Sequence, residues 1–236
     1  AERFNIDIQD LRAPLDVEET SRIDVEDDYT LILVDIPTQE ERNNKSYYVT
    51  IPLGIIVTDE VVVTTCLENI SLMDDFLNHR VRNFYTFMKT RFVFQILYRN
   101  AQLYLTALRS IDRQNDKLEA QLENSTKNEH LIDMMELEKS IVYLKASLKM
   151  NERIVKKLTG NASSLKKYIE DEDLLEDTLV ETQQAIEMAG IYENVLNAMT
   201  ETSASIINNN QNTIMKTLAL MTMALDIPTV IFSAYG

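Results

Sequence analysis

The sequence predicts an α+β protein. Its α/β/α sheet domain carries a helical hairpin and is followed by one very long stalk helix with an apolar far end. Three observations predict this. Branched apolar runs such as YTLILVDI (29–36) and VVVTTC (61–66) crowd the first part of the chain, as buried strands do. Two long stretches then repeat apolar residues at helical spacing. From Asp171 to Tyr235 the only Gly is Gly190 and the only Pro is Pro228, so little interrupts a helix there.

The elements follow in order. Asp7 to Leu15 carries a short helical pattern, and Arg22 to Val25 alternates as a half-buried strand does. Tyr29 to Ile36 reads as a buried strand ended by Pro37. Gln39 to Lys45 is polar and reads as a loop, and Tyr47 to Ile51 as another strand. Leu53 to Val57 and Val61 to Cys66 flank Thr58-Asp59-Glu60, a short hairpin loop. This makes a sheet of roughly four or five strands. Asn69 to Phe84 reads as a helix capped by Asn69 or Ser71.

A helix from Lys89 to Glu123 follows, its face marked by Phe92, Ile96, Leu103, Leu108, Ile111, Leu118 and Leu122. Asn124-Ser125-Thr126 breaks it. The next helix, Asn128 to Leu158, ends at Thr159-Gly160-Asn161, with Gly160 as a left-handed cap. The short break makes an antiparallel hairpin. Residues 1–165 form the expected self-contained domain, 166–213 the stalk and 214–236 the apolar end.

Composition removes several function classes. The 236 residues hold 23 Lys+Arg against 38 Asp+Glu, a net charge of -15, which repels nucleic acid. Gly54, Gly160, Gly190 and Gly236 lie too far apart for a phosphate-cradling loop. Cys66 stands alone, which excludes an internal disulfide and points to a reducing compartment. His79 and His130 with one cysteine do not furnish the usual zinc site, leaving hard cations on oxygen ligands. No nucleophile–base pair is evident, so no enzyme is expected. No signal peptide opens the chain.

The single groups have plain readings. His79 and His130 are expected on solvated helix surface, Cys66 as a small core residue, and Asp74-Asp75 in a first helical turn. Six of the eight residues from Glu170 to Asp177 are carboxylates, which suits a solvated helix start. Lys145, Lys149, Arg153, Lys156 and Lys157 make the preceding helix basic, and pairing with that acidic start is the plain explanation.

About 65 residues of continuous helix would be about 97 Å long, too long for a domain of this size to bury. The helix must leave the domain and pack against copies of itself or a partner. Between Thr217 and Tyr235 the only ionisable groups are Asp226 and the Tyr235 phenol, and that length spans a bilayer. The chain stops at Gly236 straight after the apolar run. The expectation is a truncated chain whose membrane region continues.

Asn212, Met215, Ala219, Thr222, Asp226, Thr229 and Ser233 recur every three or four residues and share one helix face. Such a stripe must face protein or water. Two readings stand, a helix–helix seam and an ion path. Asp226 favours the ion path, because a seam needs no carboxylate and one at that depth costs a few kcal/mol unless hydrated, paired or cation-bound. Asn208-Asn209-Asn210-Gln211-Asn212 offers amide oxygens to a hydrated cation.

Asn212-x-x-Met215-Lys216-x-Leu218, Pro228-Thr229 and Tyr235-Gly236 resemble the first transmembrane helix of the CorA family of divalent-cation channels. In that family Tyr-Gly-Met-Asn closes the helix, so Met-Asn and a second transmembrane helix are expected beyond Gly236. The strand to Pro37, Ile51-Pro52-Leu53-Gly54-Ile55-Ile56, the hairpin and the stalk resemble the family's cytoplasmic funnel. Ile6 to Leu15 resembles an interior helix of it, which implies a clipped N-terminus.

The resemblance implies a homopentamer in the plasma membrane, with most of this chain cytoplasmic. Mg2+ would be transported and also sensed, the lipid bilayer would be a partner, and no nucleic acid or other small-molecule substrate would take part. Asn212 would stand at the pore mouth, and Met215 and Leu218 would form the hydrophobic constriction. Thr222, Asp226 and Thr229 would line the path, and Gly236 would open the selectivity motif. Asp226 replaces an apolar residue of better-known members. Asp177 stands at the stalk carboxylate of the intersubunit metal sensor, but Arg12 and Ala13 occupy the place of its partner carboxylates. The alternatives are a zinc or cobalt transporter of the same fold, or a membrane-anchored coiled-coil scaffold. Thr182-Gln183-Gln184 and Thr200 to Ser205 make a poor dry seam for a scaffold.

Overall fold

The computed structural model describes residues 2–42, 45–122, 128–160, 165 and 169–236. Four antiparallel strands stand in chain order, β1 (Arg22–Val25), β2 (Tyr29–Arg42), β3 (Lys45–Thr58) and β4 (Val62–Cys66). Helices α1 (Ile8–Arg12) and α2 (Ser71–Leu77) are short, whereas α3 (Lys89–Leu122), α4 (Asn128–Thr159) and α5 (Ile169–Tyr235) are long. Alternation along β2 divides the core between the two sheet faces. Ile32, Val34 and Ile36 pack with Ile51, Leu53, Phe94, Ile154, Leu158 and Leu175. Leu31 and Leu33 pack with Ile6, Tyr29 and Ile56 on the opposite face.

Pro37 does not end β2, and residues 39–42 continue it rather than forming a loop. Tyr47–Ile51 and Leu53–Val57 are likewise one strand, β3. The reason lies at the sheet edge. β1 pairs with β2 only from Thr30 to Leu33, so beyond Leu33 one edge of β2 is open. Asp35 turns its backbone to that edge, where it meets side chains of α3 and α4. The Asn151 amide donates to its carbonyl at 2.7 Å, and its N–H donates to Asn151 Oδ1 at 3.0 Å. Asn100 and Tyr104 donate to the same carbonyl. Pro37, two residues on, faces the same way, so its missing N–H costs no ladder bond.

The helix expected over 69–84 is confined to Ser71–Leu77, with Ile70 and neither Asn69 nor Ser71 as its cap. The Asn78 side chain and backbone both bond the Asp74 carbonyl, and His79 and Asn83 adopt φ near 55°. Phe84 then folds back onto Phe76 and Phe92, with ring centroids 5.0–5.2 Å apart. Their spacing imitates a helical face.

Gly160 is not a left-handed cap, since no described glycine has positive φ; its N–H bonds the Lys156 carbonyl as in a helix. The break expected at 124–126 lies outside the described residues. Gly54 has a different role. A Cβ there would sit 2.2 Å from Pro14 Cγ, because the 3-10 turn Ala13–Leu15 rests on the sheet at that point.

The core also crosses the boundary expected at residue 165. Leu165 and Leu175 lie in one cluster with the sheet. Ala185, Ala189 and Leu196 of α5 lie in another with Tyr104, Leu108, Ile141 and Leu144.

Candidate functional site

The candidate site is built on α5, whose 67 residues make a rod of about 100 Å. Its first half buries one stripe against α3 and α4, through Leu175, Thr178, Thr182, Ala185, Ala189, Leu196, Ser203 and Ile207. The alanines allow close approach of helix backbones. Thr178 and Thr182 donate to the carbonyls one turn back, at 2.7 Å each, so their buried hydroxyls need no partner from another helix.

Among the described residues, Lys145, Lys156 and Lys157 of α4 find partners other than the acidic opening of α5. The Lys145 stem lies over Gly190 and its ammonium meets Glu193. Lys156 pairs with Glu152 on its own helix, and Lys157 donates to the Ile23 carbonyl. Lys156 and the Gln183 amide together hold the Glu152 carboxyl below its usual range.

Ile207 is the last described residue of α5 to be buried, and every described side chain from Gln211 to Asp226 is exposed. Ile214, Met215, Leu218, Leu220, Met221, Met223 and Leu225 are 62–72 % exposed. The helix thus projects about 42 Å beyond Ile207, with an apolar surface that its own chain leaves bare. Asn212, Met215, Leu218, Thr222 and Asp226 fall within an arc of about 120° on it. The Thr222 hydroxyl is bonded to the Leu218 carbonyl at 2.9 Å. Thr229 shares the arc, its side chain being outside the described set, and Gly236 follows the last helical residue. Among the described residues no helix is long and apolar enough to cross a membrane. In the reach expected to do so, the side chains of residues 227, 229–232, 234 and 235 lie outside that set.

Asp177 is exposed on the outward side of α5, one residue before buried Thr178. Arg12 is exposed on α1, and Ala13 is half-buried in the turn that follows. Among the described residues no group of three or more His, Cys, Asp or Glu could hold a metal ion.

The other sequence-marked residues stand elsewhere. His79 is exposed in the turn after α2 rather than on a helix. His130 is half-buried on α4, its Nδ1 enclosed without a hydrogen-bond partner among the described residues. Cys66 is half-buried, donates to the Pro52 carbonyl at 3.3 Å, and burial pushes its thiol up. Asp75 lies 3.7 Å from Arg80 and 3.9 Å from Arg99, in a cleft of about 480 Å³ that Arg109 and Glu181 also line. Sequence reading misses that cleft, because its charges come from α2, α3 and α5 at wide separation.

Comparison with known proteins bears on this architecture. The family described as CorA-like Mg2+ transporter protein matches residues 1–236. The cobalt/magnesium transport protein CorA of Methanocaldococcus jannaschii is 26% identical over 250 residues, covering 100% of this chain and 74% of that protein. The complete structure of the CorA magnesium transporter from the same organism aligns with a TM-score of 0.81 at 25% identity, covering 100% of this chain and 74% of that chain. The soluble domain of CorA from that organism aligns at 0.77 with 24% identity, covering 86% of this chain and 81% of that one, a likeness of fold. The bare, striped end of α5 thus continues a body that matches the family throughout, and the chain belongs to the CorA-like Mg2+ transporter family.

Proposed function

We propose that this chain is one subunit of a homopentameric channel conducting hydrated Mg2+ across the plasma membrane, with its sheet domain in the cytoplasm. Residues 214–236 are then its first transmembrane helix, and the chain is a transporter rather than an enzyme. One observation carries the reading. Beyond Ile207, α5 presents bare apolar flanks and one polar stripe. Lipid suits the flanks but not the stripe, whereas copies around an axis turn the stripe inward and the flanks outward.

In that arrangement Asn212 offers its amide to water bound by the ion. Met215 and Leu218 narrow the path with apolar side chains, which dewet when closely spaced. Thr222 and Thr229 line the next turns, and Gly236 stands where the filter begins. Oxygen ligands suit Mg2+, which sheds its water reluctantly. Asp177, exposed on each stalk, reaches for cytoplasmic Mg2+ between neighbouring copies, and Arg12 and Ala13 bring no carboxylate to the same place.

The test is flux. The purified full-length protein in liposomes should admit Mg2+ to an enclosed indicator dye, and its detergent-corrected mass should equal five chains. Intact oligomers that pass no Mg2+ would favour a scaffold. Flux of Zn2+ or Co2+ in preference to Mg2+ would reassign the cargo within the same fold.

A further inference from the structure

Between residues 202 and 236 the only charged side chains are Lys216 and Asp226. They are ten residues apart, which on a helix is about 15 Å along the axis and about 80° around it. They cannot pair within one chain. One turn from Asp226 stand Thr222 and Met223 on one side and Thr229 and Val230 on the other, none of them charged. The helix continues without interruption through Pro228, so Asp226 keeps its phase with Asn212, Met215 and Thr222. Its side chain is exposed. It is thus a carboxylate in an apolar reach, with no opposite charge among residues 217–236, on the face proposed to turn toward the axis.

We infer that Asp226 forms a divalent-cation site: carboxylates from the several copies ring the axis and hold one hydrated divalent cation between them. This rests on the channel reading above. Carboxylates gathered in one ring repel each other. A divalent ion offsets that repulsion with twice the charge of a monovalent one at the same distance. Carboxylate oxygens and bridging water are the ligands a hard divalent cation takes. A helix–helix seam at this position would instead enclose the charge, at a cost of a few kcal/mol unless the partner helix paired it.

The test uses the full-length protein with the variants Asp226→Asn and Asp226→Glu. Mn2+ binding is read by loss of its free electron-spin-resonance signal in the detergent-solubilised oligomer. Mg2+ flux is read in liposomes, and oligomer size on a column. We expect Asp226→Asn to keep the oligomer, bind Mn2+ at this site roughly tenfold more weakly, and pass less Mg2+ at low concentration. A tenfold loss corresponds to about 1.4 kcal/mol. Asp226→Glu keeps the carboxylate and should restore binding to within about twofold. Equal Mn2+ binding by the parent and Asp226→Asn would overturn the site and leave the channel reading standing. Dissociation of the Asp226→Asn oligomer would place the residue in a seam and also overturn it. If the parent passes no Mg2+ but Asp226→Asn still loses Mn2+, the channel reading fails and the cation site stands.

Discussion

Asn151 closes on Asp35 with both ends of its amide, accepting from the backbone N–H at 3.0 Å and donating to the carbonyl at 2.7 Å. A side chain of α4 thus does for β2 what a neighbouring strand would do, at the place where β1 has ended. Asn151 is buried, and so is Asn100, which bonds the same carbonyl.

Asn151→Ala would leave the Asp35 N–H without its acceptor in a part-buried site. An unmade buried bond of this kind costs about 1–3 kcal/mol, and two bonds go at once. Chemical denaturation should show a loss of about 2–4 kcal/mol with an unchanged m-value. A loss below about 0.5 kcal/mol would mean that water or Ser21, which also bonds Asn151, takes over.

Asp35 yields a pH prediction. Burial raises the pKa of its carboxyl above the ordinary value, against the opposing hydrogen bond of Ser147. The folded state therefore holds this proton more tightly than the unfolded chain does. Stability from this group is fully present below the unfolded pKa and is lost as pH rises through the higher folded value. Asp35→Asn has no charge to desolvate, so it should melt higher than the parent at pH 7. The difference should shrink as pH falls toward 4, the unfolded carboxylate value being about 3.9. A constant difference across that range would count against the assignment.

Gly54→Ala should loosen the N-terminal turn. The added methyl would meet Pro14 Cγ at 2.2 Å and Thr65 Oγ1 at 2.8 Å. Neither the proline ring nor a sheet residue yields easily, and overpacking of this kind costs about 1–3 kcal/mol. Faster proteolysis within residues 2–20, together with a lower melting temperature, is the expected outcome.

A fragment ending at residue 165 lacks Leu175, Ala185, Ala189 and Leu196, which fill the core against α3 and α4. It should show helical circular dichroism with a broad, weakly cooperative melt and bind a hydrophobic dye. A fragment ending at 210 keeps the whole buried stripe and should melt cooperatively. Equal cooperativity in the two would show that the sheet domain needs no part of α5.

Asp177 is tested by ligand-linked melting, since a cation that binds only the assembled state raises its melting temperature. If Asp177 binds between copies, millimolar-order Mg2+ should raise the melting temperature of the parent oligomer and raise that of Asp177→Ala less. Arg12→Asp supplies a carboxylate where the structure has an exposed cation, and should enlarge the shift. An Mg2+-dependent shift undiminished by Asp177→Ala would remove this residue from the role.

The long helices are legible in the sequence because nothing competes with their periodicity. From Lys89 to Leu122 and from Ile169 to Pro228, apolar spacing and the scarcity of Gly and Pro give the same answer. The continuation of β2 through Pro37 is not legible, because it depends on where β1 stops pairing, a tertiary fact. The early end of α2 is hidden for another reason: Phe76, Phe84 and Phe92 are eight residues apart, and a folded-back turn satisfies that spacing as well as a helix does. The polar stripe of α5 is plain from spacing alone. The reach of the core across residue 165 is not, because α5's buried stripe is made of small and hydroxylic residues, Thr178, Thr182, Ala185 and Ala189, that carry little hydropathy.

Each strand of the sheet is bonded to its neighbour in sequence, and this orders events during synthesis. All strand pairs can close once residues up to Cys66 have cleared the ribosome, because each joining loop is short and costs little closure entropy. Ile214 follows Cys66 by 148 residues, which at ordinary elongation rates is roughly 7–30 s of further translation. The sticky reach of α5 is therefore born after the four strands have had time to pair. The interval keeps nascent apolar helix and unfinished sheet apart, a timing set by strand order alone.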